Sequence, residues 1–171
     1  MSIENFRQLA DYNHWANRRL YAAALEMSDE QYRRRTGVFF GSLHGTLNHL
    51  LLADRVWLKR LTGEGQHPNR LDAILFDDRR ELAQARMAED ARLKRVIGSY
   101  TADDLGKVVS YTMAEKPQKQ VLQEILLHLF NHQTHHRDQA HACCSIVTGS
   151  EPPALDLLLF QRGLPAPSLA P

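Results

Sequence analysis

Residues 126–141 read Leu-Leu-His-Leu-Phe-Asn-His-Gln-Thr-His-His-Arg-Asp-Gln-Ala-His. Five of the chain's nine histidines fall between His128 and His141. Residues four apart on a helix stand one above the other on one face, so the imidazoles of His132 and His136 can close on a single metal ion. His49 lies far upstream in a second helical pattern, among Leu47, Leu50, Leu51 and Leu52. A buried imidazole needs a partner, and a metal is one such partner. Three neutral nitrogen ligands leave coordination positions open, the arrangement of a metal that does chemistry rather than one that holds a fold.

Spacing alone does not select the ligands. His128 and His132 are also four apart, and His128 shares a face with His135. A hydrogen-bonded histidine seam in a helical core uses the same residues. His44 competes with His49, but it falls in the first turn of its helix, where exposure is expected. A zinc-protease reading is excluded. That motif needs glutamate directly after its first histidine, and the chain has Gln133, which cannot take a proton from water. Asp11, His14 and Asn17 are candidates for a base elsewhere, although each has a solvated or capping role open to it. Asp54 is expected to pair with Arg55, Arg137 or a helix end, and Arg137 to pair with a carboxylate.

Helices must carry these groups. Ser2 caps a first helix to about Leu25, with Phe6, Leu9, Ala10, Tyr12, Ala16, Leu20 and Ala24 spaced as a buried stripe. Ser28 to Gln31 has the form of a capping box. Ser42 opens a second long helix that stops at Thr62-Gly63. Residues 66–76 look irregular. A third helix follows from about Asp77 to Ile97. Val108 to Met113 is the one place for a brief strand or hairpin, and Pro117 suits the first turn of a fourth helix to Val147. The tail after Gly163 is expected to be loose. The reading is all-α: a four-helix bundle with a long crossover connection between helices two and three. Residues 1–163 form one metal-binding domain and 164–171 a C-terminal tail.

The 171 residues are 43% hydrophobic and 24% charged, with a formal net charge of +1. That balance argues against a nucleic-acid binder, and Tyr32-Arg33-Arg34-Arg35 reads as a solvated turn. No apolar run approaches the ~20 residues of a spanning helix. Met1 to Leu9 lacks the apolar stretch of a signal peptide. A cytoplasmic protein is expected, touching neither membrane nor nucleic acid. Cys143 and Cys144 are adjacent and read as buried thiols rather than a disulfide.

Three segments carry a resemblance: Tyr12-Asn13-His14-Trp15-Ala16-Asn17-Arg18-Arg19-Leu20, Thr46 to Leu61 around His49, and Asn131-His132-Gln133-Thr134-His135-His136-Arg137. With Leu155 to Phe160, they resemble the DinB family of DinB/YfiT-like metalloenzymes. The resemblance implies a crossover four-helix bundle and a divalent metal on His49, His132 and His136. Zinc or nickel stands foremost, with iron or copper as alternatives. His128, His135 and His141 then become supporting, surface or core residues. The family usually has glycine where this chain has Asp138. The resemblance further implies a metal-dependent enzyme, either a hydrolase or a thiol-dependent transferase. Its substrate would be a small molecule, with a low-molecular-weight thiol as the expected co-substrate. A homodimer is expected, since family members often pair. The alternative is a non-catalytic metal-binding stress-response bundle that acts through a protein partner and exposes an apolar patch.

Overall fold

The computed structural model describes residues 1–169. It is mostly helical, with one small two-stranded sheet. Four long helices dominate: α1 (Ile3–Glu26), α3 (Leu43–Thr62), α4 (Arg79–Ser99) and α5 (Leu122–Thr148), with short helices α2 (Asp29–Arg33) and α6 (Leu157–Gln161) between and after them. α1 and α3 each pack against both α4 and α5. None of the described helices is long and apolar enough to cross a membrane.

Local chemistry sets the helix ends. Ser2 and Ser28 form full capping boxes with Asn5 and Gln31. The Ser42 hydroxyl accepts from the Gly45 amide, and Asp78 accepts from the amides of Arg80 and Glu81. Each cap satisfies amides that have no partner in the first turn. Gly63 and Gly149 close α3 and α5 at φ 77° and 67°, a left-handed conformation that glycine adopts without a Cβ penalty.

Two apolar clusters fill the space between the long helices. One gathers Leu20, Tyr21, Leu43, Leu47, Leu50, Leu82 and Cys143; the other Phe6, Leu58, Leu93, Ile97, Leu126 and Phe130. Both cysteines are buried and free. The irregular connection after α3 is tied back onto that helix by Asn48. Its side-chain oxygen accepts from the Leu75 and Phe76 amides at 2.8 and 3.0 Å, while its amide donates to the carbonyls of His44 and Phe76.

Three expectations change. The all-α reading is amended by a hairpin: Val108–Met113 (β1), the stretch expected to hold a brief strand or hairpin, pairs antiparallel with β2 (Lys116–Val121). Pro117 therefore lies in a strand opposite Thr112, not in a helix, and α5 begins at Leu122. A two-stranded ribbon has free edges, so a residue without an amide hydrogen is tolerated there. The tail is not loose where it is described. Trp15 donates to the Leu164 carbonyl at 2.7 Å, Arg19 to Pro165 at 2.8 Å, and Arg18 to Pro167. Residues 170–171 of the expected tail lie outside the described residues.

Candidate metal centre

His49, from the middle of α3, meets His132 and His136, one turn apart on α5. The Nε2 atoms of His49 and His132 are 3.3 Å apart. The His136 ring lies 4.5 Å from that of His49 and 4.4 Å from that of His132, centroid to centroid. One nitrogen from each ring falls within 4.8 Å of the others, so the three could hold a metal ion. His49 and His136 are buried and His132 is half-buried.

Two of the rings are held in a defined tautomer. A carbonyl only accepts, so the contact between His49 Nδ1 and the Leu71 carbonyl at 2.8 Å puts the proton on Nδ1. That leaves the Nε2 lone pair free toward the cluster. His136 Nδ1 donates to Gln139 Oε1 at 3.1 Å, and the Gln139 amide donates on to His135 Nε2 at 3.1 Å. Outer partners of this kind fix ring orientation and raise ligand basicity in metal sites. Phe40 stacks on His49 with centroids 3.7 Å apart and presents an edge to His136.

Burial disfavours the charged form of each imidazole. It pushes His49 down to about 4 and His132 down to about 3, the latter helped by repulsion from the neighbouring histidines. His136 is lowered by the same cause, partly offset by Gln139. All three are neutral at pH 7, the protonation state a metal ligand requires. They open onto a cavity of about 650 Å³ whose walls include Phe39, Phe40, Leu71 and Asp72.

The other candidates fall elsewhere. His128 is exposed and packs edge-on against Trp57, and His141 bonds the Pro153 carbonyl. His44 is buried rather than exposed, because it contacts Arg33 and the Phe76 carbonyl. Asp11 pairs with Lys94 at the surface, while Asn17 donates to Asp90, 3.6 Å from which stands His14. Asp138 is exposed, so the carboxylate in place of the usual glycine faces outward.

Beneath the histidines runs a buried polar network the sequence did not reveal. Asp54 accepts a hydrogen bond not from Arg55 or Arg137 but from Gln133 on α5, and forms an ion pair with Arg86 on α4 at 2.7 Å. Arg86 also meets Asp90 at 2.8 Å. Asp90 accepts from Asn13 and Asn17 of α1, and Asn13 accepts from Arg137 at 2.5 Å. The network thus joins all four long helices and is anchored at Gln133 and Arg137, the residues that follow His132 and His136. Burial raises the Asp54 carboxyl to about 6 even against the pull of Arg86. Arg137 is fully committed here and over the Tyr12 ring, 5.0 Å away, not to the cavity.

A sequence model of the DinB family matches residues 1–166. The chain belongs to the DinB family. Protein DinB of Bacillus subtilis (strain 168) is 24% identical over 135 residues, spanning 76% of this chain and 78% of its own length. The crystal structure of a DinB-like protein from Bacillus cereus ATCC 10987 superposes with a TM-score of 0.66 at 18% identity, covering 99% of this chain and 98% of that one. At that identity the likeness speaks for the fold. Within this DinB-family chain, the family resemblance and the geometry point to the same three histidines. Phe40, Gln139 and the Leu71 carbonyl, which orient them, escaped the sequence reading. A pair of phenylalanines inside a glycine-flanked loop, Gly37 to Gly41, was the available signal for the first.

Proposed function

We propose that this chain is a metal-dependent enzyme acting on a small molecule, as hydrolase or thiol-dependent transferase. His49, His132 and His136 would hold one divalent transition ion, with zinc or nickel foremost. The fold would be a four-helix bundle of α1, α3, α4 and α5, with residues 63–78 as the crossover.

One observation carries the reading. The Leu71 carbonyl and Gln139 Oε1 accept from Nδ1 of His49 and His136, which leaves their Nε2 atoms unprotonated, and one nitrogen from each of the three rings converges within 4.8 Å beside an open cavity. A histidine seam that merely satisfies itself has no need of two acceptor nitrogens fixed beside a third ring and an open cavity. Such an ion supplies Lewis acidity and can activate water or a thiol. The protein's own residues do the rest. Leu71 and Gln139 orient the ligands, Phe40 covers one face of His49 and keeps water from it, and the Asp54–Arg86–Asp90 network braces the helices behind. No carboxylate in hydrogen-bond contact with the triad offers itself as a base among the described residues. That favours a reaction whose nucleophile is activated by the metal alone, and a thiol, which ionises readily, suits this best.

A second reading, a non-catalytic metal-binding bundle with a protein partner, draws on the exposed Phe39 and Leu71 that line the cavity. Purification without chelator, elemental analysis and a thiol-transfer screen separate the two. One equivalent of metal with turnover supports the enzyme. One equivalent without turnover, together with a captured protein partner of defined stoichiometry, supports the second. A homodimer in the cytoplasm is the proposed setting, to be checked by light scattering and fractionation.

A further inference from the structure

The arginine cluster at residues 32–35 does not behave as one solvated turn. Arg33 is spent on Asp29 and Asp77. Arg35 instead lines a second cavity of about 380 Å³, together with Gly41, Gly45 and Ile74. Phe39, Phe40 and Asp72 line both this cavity and the histidine cavity, so the two adjoin and share the Phe39–Phe40 wall.

The loop that bears Arg35 is closed on itself. The Thr36 amide donates to the Gly41 carbonyl at 3.0 Å, and the Gly41 amide to the Val38 carbonyl at 2.8 Å. Gly41 has φ 81°, and the Arg35 guanidinium lies over it, 3.6 Å from where a β-carbon would stand. Arg35 has no ion pair and no hydrogen bond among the described residues. The one other formal charge on the lining is Asp72, and Arg70 clamps both of its carboxylate oxygens at 3.1 and 2.8 Å. A positive group therefore stands free in the cavity next to the histidine cavity, with Phe39 and Phe40 in the wall they share.

We propose that Arg35 is a specificity-determining residue that receives the carboxylate or phosphate of a small anionic substrate whose other end reaches the metal centre. This rests on the metal-dependent reading of the histidines. A guanidinium matches such oxyanions with paired N–H donors. The contact is exposed to solvent, so its effect is modest and weakens with salt.

The test uses the purified, metal-loaded protein and two probes of equal length, 3-mercaptopropionate and 3-mercaptopropanol, titrated by calorimetry at low ionic strength. Arg35→Gln is expected to weaken 3-mercaptopropionate about five-fold and leave 3-mercaptopropanol unchanged, with Arg35→Lys restoring part of the loss. Inorganic phosphate should compete with the carboxylate probe in the wild type and less so in Arg35→Gln. Equal effects of Arg35→Gln on both thiols, no effect on either, or binding of neither probe to metal-loaded protein would overturn the proposal while leaving the metal centre standing. Absence of metal from protein that retains all three histidines would remove both readings together, and elemental analysis of each sample tells these cases apart.

Discussion

Replacing Arg86 with methionine is the sharpest test of how the site is braced. Arg86 is 0% exposed and stands 2.7 Å from Asp54 and 2.8 Å from Asp90, themselves 1% exposed. Methionine keeps most of the volume and removes the charge. Two carboxylates are then left facing one another without the cation between them, and breaking a buried pair in this way costs roughly 3–5 kcal/mol. For a chain of this length that is a fall in Tm of about 10 °C. The pH dependence gives the loss a signature. Burial already lifts Asp54 to about 6 with Arg86 present, and removing Arg86 takes away the cation that holds it down. A carboxyl raised in the folded state costs stability only where it is forced to ionise. The deficit of Arg86→Met against wild type should therefore be largest near pH 8 and shrink as pH falls toward 5. Urea unfolding of the metal-free proteins across that range measures it. A deficit under about 1 kcal/mol, or one that does not shrink in acid, would refute the bracing role.

Other perturbations probe the site and its frame. The metal-free protein should lose stability as pH falls from 6.5 toward 4, because the unfolded chain takes up protons that the buried histidines refuse; the displacement of His49 from 6.5 to about 4 alone corresponds to about 3 kcal/mol. A flat unfolding free energy over that range would contradict it. Gly45→Ala puts a β-carbon against the Phe40 carbonyl oxygen. The clash should cost about 1–3 kcal/mol and lower metal affinity by loosening Phe40 from His49, whereas a gain of helix stability would show that the contact yields freely. Ala114 and Glu115 both adopt positive φ, 48° and 62°, in the two-residue turn of the hairpin. Ala114→Asn with Glu115→Gly should relieve about 1–2 kcal/mol, read as about five- to thirty-fold slower amide exchange in residues 108–121. Unchanged exchange would place the strain elsewhere.

The legible parts of this fold were those decided within a few residues. Ser2, Ser28 and Ser42 marked helix starts, because a cap satisfies its own first turn. Gly63 and Gly149 marked ends for the same local reason. Pro117 misled, since its fixed φ and missing amide suit a helix start and a free strand edge alike. Nothing at Ala114-Glu115 announced a turn that usually carries Asn-Gly. His44 was placed in solvent by its position in the helix, yet the chain returning past Phe76 covers it. The network of Asp54, Arg86, Asp90, Asn13 and Asn17 was unreadable because charged and amide side chains are seldom buried, and only tertiary pairing makes these five an exception. Spacing left His128 and His135 open beside His132 and His136. Which side chains face α3 depends on how the helices are packed, and that is where His49 enters.

The most direct measurement is metal content with its ligands identified: elemental analysis and X-ray absorption on protein purified without chelator, wild type beside His49→Ala, His132→Ala and His136→Ala. The account predicts about one divalent ion per wild-type chain in a histidine-nitrogen shell, with a loss in each variant and none left in the triple one. Full metal in the triple variant, or a wild type that takes up none, would contradict it.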